Sequence, residues 1–223
     1  MDESKWIEQV VTLFAVVIGA VLGYLTTRAA ELRKERSEAA AKSTLLALKV
    51  RNIVDGIFRI DRELQEGIAL AEKEGVDGPA WTKFVGIAGI ERYEEVLTVE
   101  DMAILASHGY FDLIQALSEL RDGQNGIVRA LTEIYRQREQ IAGLIVPTRM
   151  EGRVAIYDAA LPPEAGPAVA NLNMLSEDVL AQLVSLKQQA RETIPVFNEK
   201  MRAAVKVANF PRISFPQDDQ RLI

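Results

Sequence analysis

The sequence predicts an all-α protein, in which an N-terminal single transmembrane helix continues into a stalk and then into an antiparallel helical bundle of about three long helices plus short helices. Three observations carry that expectation. No charged residue occurs from Gln9 to Thr27. Residues 29–49 contain neither Pro nor Gly and are rich in Ala, Glu, Lys, Arg and Leu, all strong helix formers. Beyond them, apolar residues recur at spacings of three and four in three separate stretches, the period of a helix with one buried face. The expected organisation is a short tail (1–5), the transmembrane helix (6–27), a juxtamembrane stalk (28–45), the bundle domain (46–208) and an extended C-terminal tail (209–223).

The transmembrane expectation rests on length, hydropathy and flanks together. A helix from Trp6 to Thr27 is about 33 Å long at 1.5 Å per residue, close to the roughly 30 Å of a bilayer's hydrocarbon core. Trp6 and Tyr24 lie near its ends, where amphipathic rings prefer the headgroup layer. A cleaved signal peptide needs a basic leader, whereas Asp2 and Glu3 outnumber Lys5 here, and the Ala29-Ala30 pair lies inside a continuous helical pattern. A buried core helix would carry a polar face, and only Thr12 and small residues interrupt this run. Arg28, Arg33, Lys34 and Arg36, with Lys42 beyond them, follow the run, against Lys5 and the amino terminus before it. The positive-inside rule therefore places the N-terminus outside the cell membrane and the C-terminal domain in the cytoplasm. Glu31, Glu35 and Glu38 offset part of the attraction of this basic cluster for anionic lipid. Ala15, Gly19, Gly23 and Thr27 recur every four residues, a small-residue face along which a second span can approach closely.

After the stalk, Leu46, Val50, Ile53, Ile57, Ile60, Leu64, Ile68 and Ala71 form the first stripe, and Gly75 followed by Asp77-Gly78-Pro79 stops it. The aromatic stretch from Trp81 to Leu97 predicts one or two short helices tucked against the long ones. Thr98 with Glu100 and Asp101 in the next turn reads as a helix start, and Ser107-His108-Gly109 as its stop. A second stripe runs through Leu113, Leu117, Leu120, Ile127, Leu131, Ile134, Ile141 and Ile145. The glycines of Asp122-Gly123-Gln124-Asn125-Gly126 suggest a turn, but Leu120 and Ile127 keep register across them, which favours one helix. Gln124 and Arg138 fall on this stripe and need partners there. Residues 148–167 read as a connection in which 153–157 extends or pairs as a hairpin. The last helix, 168–208, carries Leu172, Val179, Leu183, Leu186, Ala190, Phe197, Met201 and Val205 inward, with Pro195 expected to kink it. The tail, with Pro211 and Pro216, is expected to be extended and frayed, with a docking peptide as the alternative.

Composition narrows the function classes. The chain has 223 residues, is 48% hydrophobic and 26% charged, and so can pack one ordinary domain behind the span. A net charge of -6, with no basic patch beyond the stalk, gives nucleic acid little to bind. The absence of cysteine removes disulfides, thiolate metal sites and thiol nucleophiles, and a single histidine, His108, rules out the paired Glu-x-x-His motifs of di-iron bundles. No phosphate-binding loop, dinucleotide fingerprint, zinc-protease motif or nucleophile elbow occurs. No enzymatic activity and no cofactor are therefore expected.

The function expected is a membrane-anchored helical interaction module, a scaffold or adaptor, whose partners are the lipid bilayer, another membrane or cytoplasmic protein, and a second copy paired through the span. Two alternatives stand beside it. A sensory element would pass helix shifts through the stalk, with Gly123, Gly126 and Pro195 as soft points. An enzyme would use Glu91, Glu94, Glu95, Glu100, Asp101 and His108.

Overall fold

The structure, a computed structural model, describes the backbone of residues 3–84, 86–87, 89–144, 149–151, 154–156, 165–205 and 210–215, with side chains for 18–84, 86–87, 89–142, 165–205 and 210–215. A single helix, α1 (Glu3–Lys73), runs for 71 residues without a break, about 105 Å at 1.5 Å per residue. Residues 18–39 are exposed throughout, and burial begins at Ser43, Leu46 and Ala47. From there the stripe Leu46, Val50, Ile53, Ile57, Ile60 and Leu64 is fully buried, as the periodicity predicts. At the far end Gly75 adopts φ 75°, and the bonds Gly75 N to Glu72 O (3.1 Å) and Val76 N to Ala71 O (2.9 Å) close a Schellman cap.

The helical continuity expected over residues 6–45 is present in α1, but its crossing of a membrane is not shown. Among the described residues no helix is long and apolar enough to cross a membrane. The side chains of residues 1–17, with Trp6, Ala15 and about half of the apolar run and of the expected span, lie outside the described residues.

The aromatic stretch is less helical than predicted: one turn, α2 (Ala80–Lys83), and a 3-10 turn at Ile90–Tyr93, joined by extended chain. Phe84, Ile87, Ile90 and Leu97 are nonetheless buried, so its residues serve the core as expected. Helix α3 (Val99–Ser107) opens with a capping box, in which Thr98 Oγ1 accepts from the Asp101 N–H and the Asp101 carboxylate accepts from the Thr98 N–H. It closes at Gly109 (φ 73°), with Tyr110 N bonded to Leu105 O at 3.0 Å.

Helix α4 (Phe111–Leu144) runs unbroken through Gly123 and Gly126. Gly123 permits close packing: a Cβ there would lie 2.5 Å from Leu186 Cδ2. A short antiparallel ribbon, β1 (Arg149–Glu151) with β2 (Val154–Ile156), pairs Met150 with Ala155 and occupies part of the expected connection. Helix α5 (Gly166–Val205) passes through Pro195, which faces solvent. It packs chiefly on α4 and also on α1, so the three long helices share one core in which Leu117, Leu131, Leu172, Leu183, Ala190 and Phe197 are fully buried.

The described part of the C-terminal segment is extended as expected but is packed where fraying was expected. Residues 210–215 are extended, but Phe210 and Ile213 are buried and Phe215 packs on Phe58, with ring centroids 5.6 Å apart. This part of the tail completes the core and is not frayed.

Candidate functional site

The sequence singles out two regions, the N-terminal half of α1 and the acidic stretch before α4. In the described part of α1, Ile18, Val21, Leu22 and Leu25 are each more than half exposed. Gly19 and Gly23 have nothing within 4 Å of where a Cβ would stand, so the small-residue face is open to a second backbone. Two hydroxyls in this segment bond back to the helix: Thr26 Oγ1 to Leu22 O and Thr27 Oγ1 to Gly23 O, both at 2.9 Å. Such back-bonding satisfies a hydroxyl without water. One turn on, Arg28 Nη1 donates to the Tyr24 hydroxyl at 2.7 Å, and its guanidinium lies 6.0 Å from the ring centroid. The expected anchor and the first topology-setting base therefore form one polar tip. Arg33, Lys34 and Arg36 are exposed farther along the stalk. The recess lined by Tyr24, Thr27, Arg28, Glu31, Leu32 and Glu35 lies on one face of this lone helix, which cannot enclose a ligand.

The acidic stretch is dispersed into structural contacts. Asp101 is buried, its carboxylate accepting from Lys49 Nζ and the Thr98 N–H, both at 2.7 Å, and from the Thr98 hydroxyl at 2.9 Å. Burial alone would raise its pKa, but these donors outweigh it and hold the carboxyl below its ordinary value. Glu94 pairs with Arg129 at 3.1 Å, and Glu95 accepts from Asn52 at 3.2 Å. Glu91 and Glu100 are exposed. His108 is exposed at the end of α3, its Nδ1 2.9 Å from Ile104 O and its ring stacked near Tyr110. Among the described residues no three His, Asp or Glu side chains are grouped to hold a metal ion.

The polar residues on the α4 stripe take different routes. Arg138 donates to the Phe84 carbonyl, tying the loop after α2 to α4. Gln124 is 1% exposed and neither its Nε2 nor its Oε1 has a hydrogen-bond partner. Glu133, held by Arg136 and Gln137, has its pKa lowered to about 2.

Three asparagines hold the short helix α2 and two extended segments against the long helices, and sequence reasoning missed all of them. Asn173 Oδ1 accepts from Trp81 Nε1 at 2.7 Å. Asn125 exchanges two bonds with the Glu95 backbone, at 3.1 and 3.0 Å. Asn198, 7% exposed, does the same for Ile213, accepting its N–H at 3.0 Å and donating to its carbonyl at 2.9 Å. The amides of Asn125 and Asn198 supply the donor and acceptor that extended chain lacks away from a sheet, whereas Asn173 satisfies the Trp81 indole. An asparagine beside a buried stripe, poor in helix propensity, is the signal that could have flagged them. No protein-family model matches this chain, and no characterised protein or solved structure does so either.

Proposed function

We propose that this chain is a membrane-anchored helical interaction module, in which the N-terminal part of α1 crosses the bilayer and the bundle is presented to protein partners on the cytoplasmic side. The observation that carries the reading is the unbroken course of α1. It joins the charge-free run of Gln9 to Thr27 to the buried stripe beginning at Leu46, with exposed residues 28–39 between them. An apolar row of Ile18, Val21, Leu22 and Leu25, more than half exposed among the described residues, is costly in water and at home in lipid. The back-bonded threonines and the Tyr24–Arg28 tip fit the depth at which a span leaves the hydrocarbon. The open face at Gly19 and Gly23 suits pairing with a second span. Tethering raises the effective concentration of the bundle for weak partners. No catalysis is assigned to the Glu91–His108 stretch, where Asp101, Glu94 and Glu95 are engaged in holding the fold.

Alkaline carbonate extraction of membranes from cells expressing the full chain tests the anchor. The wild-type protein is expected in the pellet, and a Val21→Lys/Leu22→Lys variant in the supernatant. Release of folded wild-type protein into the supernatant contradicts the proposal.

A further inference from the structure

The C-terminal segment is held as a bound peptide would be held. It is extended over residues 210–215, and its main chain is read by the side chain of Asn198 through two bonds to Ile213. Phe210 and Ile213 are buried in the core, and Phe215 lies against Phe58 of α1. Lys187 and Arg191 place their cationic groups 5.7 and 5.8 Å from the same Phe58 ring. Recognition of this kind has two separable parts. An amide that bonds a backbone N–H and C=O is indifferent to sequence, and sockets for side chains at fixed offsets supply selectivity.

We propose that the surface reached by Asn198 and Phe58 is a docking groove for an extended segment of a partner protein, carrying aromatic, aliphatic and aromatic side chains at relative positions 0, +3 and +5. Phe210, Ile213 and Phe215 of the chain itself occupy it in this structure as an autoinhibitory strap. The strap's link to α5 is only residues 206–209, so its effective concentration at the groove is high and a partner must displace it. The inference deepens the interaction-module reading by naming the site and the class of partner. It is independent of the membrane anchor, because carbonate extraction reports on the span and peptide binding reports on the groove.

The test uses the full chain in mild detergent and a fluorescein-labelled peptide of residues 209–223, read by anisotropy. Wild-type protein is expected to bind the peptide weakly, because its own strap competes. The variant Phe210→Ala/Ile213→Ala/Phe215→Ala empties the groove without touching its walls and is expected to bind at least tenfold more tightly. Adding Asn198→Ala to that variant is expected to weaken binding about tenfold, the scale of an unsatisfied buried backbone pair. A folded triple variant that binds no better than wild type overturns the proposal. Hydrogen exchange on the wild-type chain decides the matter if the triple variant does not fold. The Ile213 amide is expected to exchange well before the α4 amides, and exchange only with global unfolding makes the segment a fixed part of the core and overturns the proposal. A wild-type dimer that the triple variant loses would assign the groove to a second copy and likewise overturn the partner assignment.

Discussion

Gly56 of α1 and Gln124 of α4 meet so closely that a Cβ on Gly56 would lie 2.1 Å from Gln124 Nε2. The two residues are coupled by shape alone, since the Gln124 amide has no hydrogen-bond partner. Gly56→Ala forces the buried Gln124 amide, the end of a flexible side chain, to shift, and is expected to destabilise the protein by about 1 kcal/mol after the gain in helix propensity. Gln124→Ala in the same chain should recover most of that loss, because it removes the obstructing amide. Chemical denaturation of the two single variants and the double variant measures the coupling, and additive effects would show that the contact is not what makes Gly56 necessary.

The Lys49–Asp101 pair predicts an acid-sensitive joint between α1 and α3. Asp101 has a lowered pKa in the folded state, so its contribution is fully present above the unfolded value of about 3.9 and is lost as pH falls through the lower folded value. Glu133, lowered to about 2, acts in the same direction. Thermal unfolding should therefore show Tm falling below about pH 4, with a shallower fall in Asp101→Asn. An unchanged slope in that variant would remove Asp101 from the account.

Asn125 is expected to be worth about 1–3 kcal/mol, because Asn125→Ala leaves the Glu95 N–H and carbonyl without the partners that now reach them. The loss should be local at first, appearing as faster amide exchange at residues 94–97 while the α4–α5 contact stays protected. Uniform loss of protection would show that this segment and the bundle open together.

Pairing through α1 is tested at Gly19 and Gly23, which face open space. Replacing both by Leu widens the face and should abolish the signal in a membrane two-hybrid assay, whereas Ile18→Leu should leave it intact. A full signal from the double leucine variant would place any pairing elsewhere.

Much of the bundle was legible because helical stripes and caps are local signals. The seven-residue register between Leu120 and Ile127 carried α4 correctly across Gly123 and Gly126, and Thr98 with Asp101 announced the start of α3. Gly75 and Gly109 fell where two helices end in left-handed caps. The need of Arg138 for a partner was legible too, but the Phe84 carbonyl that meets it is 54 residues away in sequence. The extended tail was legible from its prolines, but its seat was not, for the same reason. Six extended residues carry no period, and what seats them, Asn198 and Phe58, belongs to helices already explained by their apolar stripes. Gly56 carries no signal in the sequence, because only the tertiary approach of Gln124 gives it a role.

The proposed topology, with α1 crossing a bilayer and the bundle inside, can be tested by cysteine labelling, for which the cysteine-free sequence is a clean background. Glu3→Cys and Ser185→Cys, each the sole thiol of a full-length chain, would be exposed in intact cells to a membrane-impermeant maleimide. The account predicts labelling at position 3 in intact cells and at position 185 only after lysis. Equal labelling of both in intact cells, or of neither until lysis, would contradict it.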